Sequence, residues 1–158
     1  MEKWKAFFVS TGATLVPVFE FMYGQGEAVA TTMIALLFFI IMDWISGTRA
    51  AKLDKTYGSR YGLEGIARTF FILLLPCGGH LLDVVFGLPA FIFGALALGT
   101  LYHVLQSMVA NSIRAGWGDW LPLPVLNWLI EKVKSELEQK LQRSESRKGG
   151  VSNEKSMD

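Results

Sequence analysis

Residues 84–113 contain no Asp, Glu, Lys or Arg. A helix made from them has no charged face to turn to water, so it suits a bilayer rather than the surface of a soluble bundle. A helix rises ~1.5 Å per residue, so roughly 20 mostly apolar residues cross about 30 Å of hydrocarbon. The rest of the chain supports the same solvent. With 51% hydrophobic and 18% charged residues, its 158 residues hold too little charge to cover a soluble domain. The fold class predicted is all-α: a polytopic membrane protein with four transmembrane helices in two hairpins, plus a C-terminal amphipathic helix.

The spans fall at about 6–24, 28–46, 66–87 and 89–110, within a membrane domain of residues 1–115. The first contains Pro17 and Glu20, and the second centres on residues 33–42. Short links around Gly24-Gln25-Gly26-Glu27 and Gly87-Leu88-Pro89 make each pair a hairpin. Lys3, Lys5, the apolar run 6–19 and Ala28-Val29-Ala30 have the parts of a signal peptide. Glu20 interrupts that pattern, and cleavage would expose the next span at once, so an uncleaved span is expected.

Positive residues near a span are retained in the cytoplasm. All 15 Lys and Arg fall before span one, between span two and the inner end of span three (Arg68), or after span four. Both ends are therefore expected in the cytoplasm. Residues 116–143 begin with an interfacial stretch containing Trp117, Trp120, Pro122 and Pro124. Leu126, Leu129, Ile130, Val133, Leu137 and Leu141 then recur at helical spacing opposite a charged face. Such a helix suits the membrane surface, the cytoplasmic loop or other copies of itself. Residues 144–158 are polar without an apolar period and are expected to be disordered.

Ionisable groups inside spans are the first candidates for function, because burying them in hydrocarbon is costly. Glu20, His80 and Asp83 approach the outer ends of their spans. They either form a polar patch, lining water or joining subunits, or simply reach the interface. His103 lies in the inner half of span four and reads as a packing residue. Cys77, His80 and Asp83 share a spacing of i, i+3, i+6 but offer too few ligands for a metal. No nucleophile–base, phosphate-loop or paired-carboxylate pattern appears, so neither catalysis nor a cofactor is expected. Pro76, Gly78 and Gly79 interrupt span three as a packing kink or a hinge. In span four, Gly94 and Gly99 follow Ala90 and Ala95 at i+4, letting another helix approach closely.

The inner end of span two reads Asp43-Trp44-Ile45-Ser46-Gly47, and the loop beyond it runs Ser59-Arg60-Tyr61-Gly62-Leu63-Glu64-Gly65-Ile66-Ala67-Arg68. This resembles the toxin-secretion/phage-lysis holin family. That family shows an Asp-aromatic-Ile-Thr/Ser-Gly element, a basic stretch, then a Ser-x-x-Gly-x-x-Gly-Ile element ending in a basic residue. Ser46 stands where Thr is frequent, and Gly58 and Glu64 replace commoner serine and basic residues. The matching part covers about residues 33–75, its general organisation extends through span four, and the C-terminal helix lies outside it.

The resemblance implies a phage-encoded protein of the host's inner (cytoplasmic) membrane. It would oligomerise and open a timed lesion that releases an endolysin or a large toxin. Its implied partners are its own copies, the bilayer, a regulator such as an antiholin and, functionally, the endolysin, with no nucleic acid. An Asp43–Arg68 ion pair at the inner ends of adjacent spans fits this picture. Gly62 and Gly65 would let the loop turn before span three, positioning the hairpins rather than holding a ligand. The alternative is a non-lytic channel or export component on the same scaffold.

Overall fold

The computed structural model describes the backbone of residues 2–154 and the side chains of residues 13–60 and 62–143. Among these residues all regular structure is helical: α1 (Glu2–Tyr23), α2 (Glu27–Leu53), α3 (Ser59–Phe86), α4 (Phe91–Arg114) and α5 (Leu123–Glu154). Three stretches are long and apolar enough to cross a membrane: Glu27–Leu53, Gly62–Phe86 and Phe91–Arg114. In α1 the described apolar part is shorter, Ala13–Tyr23.

The helix ends follow from local chemistry. Gly24 and Gly26 hold φ angles of +95° and +113°, a region that residues with a Cβ rarely adopt, and they turn the chain between α1 and α2. Gly87 ends α3 in the left-handed conformation, while the next residue, Leu88, donates its N–H to the Asp83 carbonyl at 2.8 Å. Pro76 is fully buried inside α3, yet the helix runs on through Gly78 and Gly79 without interruption.

Helix α4 is the hub, packing against α2, α3 and α5. The residues α2 buries are Val29, Met33, Leu36, Ile40, Asp43, Gly47 and Ala50 among others, one stripe at alternating spacings of four and three. Phe93, Ala97, Thr100, Val104 and Met108 form the matching stripe on α4. The second expected hairpin, α3 with α4, is a packed pair. The first is not. Helix α1 packs mainly on α3, where the Tyr23 hydroxyl donates to the Leu73 carbonyl at 3.3 Å. The physical reason is that α2 has one buried stripe, and α4 occupies it.

The outward faces are apolar. Ile34, Phe38, Phe70, Phe71, Val84 and Val85 are all exposed large side chains, a surface that a soluble monomer rarely carries.

Helix α5 departs from expectation in two respects. Its backbone stays helical to Glu154, past residue 144 where a disordered tail is expected. Residues 144–148 contain no proline, and their Glu, Arg and Lys are good helix formers, so nothing local stops the helix there. Residues 155–158 lie outside the described part. Second, α5 lies along α4, a partner not among the three expected for it (the membrane surface, the cytoplasmic loop or other copies). Ile130 and Val133 join Leu105, Met108 and Val109 in a core cluster, and Lys140 reaches Ala90 at the far end of α4.

Candidate functional site

Two polar clusters mark the two ends of the bundle. At the end carrying most basic residues, the Asp43 side chain is only 5% exposed and accepts from Arg68 and from Asn111, each at 2.8 Å. These three residues come from α2, α3 and α4, so one carboxylate ties three helices together. Arg68 is half in water, with 47% side-chain exposure. Its charge is therefore partly solvated, whereas the carboxylate depends on its partners. Arg114 pairs with Asp54 beyond the end of α2 and donates to the Asn111 amide oxygen at 3.2 Å. Asn111 and Asp54 were not singled out from the sequence. The available signal was an amide one helical turn from Ser107, near the charged end of an otherwise uncharged helix.

The other motif residues surround this cluster. Ser46 is buried and donates to the Asp43 carbonyl at 3.0 Å, and Gly47 lies on the buried stripe. At Gly65 an added Cβ would stand 3.1 Å from the Trp44 indole nitrogen, so the absent side chain admits that ring. Asp43, Trp44, Glu64, Gly65 and Arg68 line a small pocket of about 190 Å³. Gly62 has open space around it, and Ser59 is exposed at the first turn of α3.

At the opposite end, Asp83 is 2% exposed and accepts the backbone N–H groups of Ile92 and Phe93, each at 2.8 Å. Helix α4 starts at Leu88-Pro89-Ala90-Phe91, with no Ser, Thr, Asp or Asn to satisfy its first donors. The cap comes from α3 instead. Gly79, one turn before Asp83, makes this approach possible: an added Cβ would lie 2.9 Å from the Phe93 nitrogen. Gly78 faces open space. The structure thus gives Gly79 a close-packing role against the backbone of α4.

Glu20, His80 and Asp83 each meet a different partner. Asp83 is engaged by α4, Glu20 accepts from Gln25 at 3.3 Å, and the His80 ring lies against Gly24. Sequence spacing places His80 and Asp83 a turn apart, but it does not reveal the uncapped helix that claims the carboxylate. Among the described residues no buried side-chain nitrogen or oxygen lacks a hydrogen-bond partner.

The neighbour facing Gly94 and Gly99 is α5. An added Cβ at Gly94 would fall on the Lys140 ammonium, and one at Gly99 would stand 3.6 Å from Leu137. His103 is exposed, at the edge of an apolar groove between α3 and α4 of about 370 Å³. A second groove of similar volume, lined by Leu37, Ile41, Trp44, Ile66 and Phe70 among others, separates α2 from α3. Among the described residues no group of three His, Cys, Asp or Glu side chains is placed to hold a metal.

A helical membrane protein pinned by buried polar groups at both ends is the class this arrangement defines. The chain belongs to the bacteriophage holin family, whose profile matches residues 18–135. It is a family of non-enzymatic membrane proteins, and the match extends into α5, beyond the part whose motifs carry the resemblance. An uncharacterized protein of Halalkalibacterium halodurans is 30% identical over 127 residues, covering 77% of this chain and 84% of that protein. Uncharacterized proteins of Listeria innocua and Listeria monocytogenes are 28% and 27% identical over 99 residues, covering 63% of this chain and 69% of each relative. No solved structure matches the chain.

Proposed function

We propose that this protein is a working holin. It accumulates in a bacterial cytoplasmic membrane, oligomerises, and opens a timed lesion that releases an endolysin or a large toxin and leads to host lysis. The observation that carries this reading is the family match over residues 18–135, on a bundle whose outward faces are apolar. Apolar side chains and two open grooves around a polar-pinned core suit a protein that works by meeting its own copies in lipid.

The inserted chain has four spans, with α1 as the first. At 22 residues α1 is about 33 Å long, enough for one crossing. The N-terminus, the connection between α2 and α3, and the start of the C-terminal segment lie in the cytoplasm, as does the C-terminus in the unassembled chain. The basic residues Arg49, Lys52, Lys55, Arg60 and Arg114 support this orientation.

Inducible expression in a bacterium, with viability and membrane potential followed in time, tests the function. Growth is expected to continue to a threshold and then stop abruptly as potential collapses, with lysis when a cytoplasmic cell-wall hydrolase is co-expressed. A leak that grows in proportion to protein, with no threshold, would overturn the holin reading and support a non-lytic channel.

A further inference from the structure

Helix α5 presents a physical problem that its contacts define. It lies antiparallel to α4 along most of that helix's length. Ile130 and Val133 pack near Leu105, Met108 and Val109, Leu137 lies over Gly99, and Lys140 reaches Ala90. The Lys140 ammonium also sits 5.8 Å from the centre of the Phe91 ring. The stretch from Leu123 to Lys140 rises about 26 Å, close to the depth of a hydrocarbon core. If α4 spans the membrane, α5 docked in this way lies at membrane depth.

The face of α5 turned from α4 does not suit lipid. Beside the exposed Trp128 and Leu141 it carries Glu131, Glu138, Gln139 and Gln142, flanked by the Lys132–Glu136 ion pair at 2.8 Å. Charged side chains at that depth occur where they face water or protein, because hydrocarbon solvates them poorly. The opposite face is apolar except for Lys140, and it meets α4 at Gly94 and Gly99, which face Lys140 and Leu137. One side of α5 therefore matches a membrane helix while the other requires water.

We infer that α5, docked along α4, forms the water-facing wall of an assembly of several copies of this chain, with Glu131, Glu138, Gln139 and Gln142 turned to its lumen. The occupant of this face is a lumen enclosed by further copies. Before assembly no water exists at that depth, so α5 stays with the cytoplasmic C-terminus. Assembly supplies the water, and α5 then swings onto α4. This rests on the holin reading and specifies which element faces the hole.

The test uses the full chain reconstituted in vesicles of phosphatidylethanolamine and phosphatidylglycerol, at a protein density that releases an entrapped dye. Native Cys77 is buried, so the unmodified chain is the labelling control. The double variant Gly99→Cys with Leu137→Cys should form an intramolecular disulfide under mild oxidation, read by mass. Gly94→Cys with Lys140→Cys is a second pair, in case the first fails to insert.

In the same vesicles, Glu138→Cys should react with a membrane-impermeant maleimide at least about tenfold faster than Phe70→Cys on the apolar face of α3. Dye release without either disulfide overturns the inference and leaves the holin reading standing. So does a disulfide with Glu138→Cys as unreactive as Phe70→Cys. Vesicles that stay sealed at every protein density overturn the holin reading, and the inference falls with it.

Discussion

Asp43 on α2 and Arg68 on α3 meet at 2.8 Å, and the same carboxylate is held from α4 by Asn111. The two charges are not equally dependent on each other. The carboxylate is buried, while about half of the Arg68 side chain is in water. Arg68→Ala should therefore be more damaging than Asp43→Asn. Removing Arg68 strands a buried charge with one remaining donor, a cost on the order of 1–3 kcal/mol, whereas Asp43→Asn keeps the shape and lets Arg68 hydrate. Thermal unfolding in detergent should show the larger loss for Arg68→Ala, and equal losses would contradict the asymmetry. The reversed pair, Asp43→Arg with Arg68→Asp, should fail to restore stability because it buries the guanidinium beside Asn111.

Asp83 caps a helix to which it does not belong. Asp83→Leu should lower stability by about 1–2 kcal/mol, as expected for a lost cap. Amide exchange at Ile92 and Phe93 should accelerate more than at residues near the middle of α4. Unchanged exchange at those two positions would show that the cap contributes nothing.

Adjacent glycines in α3 should respond in opposite ways. Gly79→Ala places a Cβ 2.9 Å from backbone atoms of Phe93 and must push α3 and α4 apart. Gly78→Ala meets nothing within 4 Å and should be neutral or stabilising by roughly 0.5–1 kcal/mol, because alanine holds a helix better. Melting temperatures of the two variants decide this, and similar destabilisation at both would favour a general need for flexibility.

Gly94→Leu and Gly99→Leu should delay the onset of lysis, since both enlarge positions that α5 covers. Culture turbidity after induction gives the onset time. Shortening the opposing side chain with Lys140→Ala should bring Gly94→Leu back toward the unmodified time. If neither leucine variant shifts the onset, contact between α4 and α5 has no part in timing.

The residues of this chain determined, without any tertiary information, its solvent, its three long apolar helices and the positions of their turns. Those properties depend on runs of neighbouring residues: 84–113 has no charge, and Gly24, Gly26 and Gly87 mark breaks wherever the helices pack. The Asp43–Arg68 pair was also legible, because both residues sit at the basic ends of consecutive helices.

Only the tertiary structure decided which helix each face meets. By sequence Asp83 belongs to a polar patch or reaches the interface, whereas in the fold the first turn of α4 claims it. Asn111 became part of the Asp43 cluster only through the packing of α2 on α4. Helix α5 had an apolar face with several possible partners, and in the structure Ile130 and Val133 pack with Leu105, Met108 and Val109 of α4. Periodicity records that a face is apolar, but its partner is set by shape and by unsatisfied backbone groups that lie far apart in the chain.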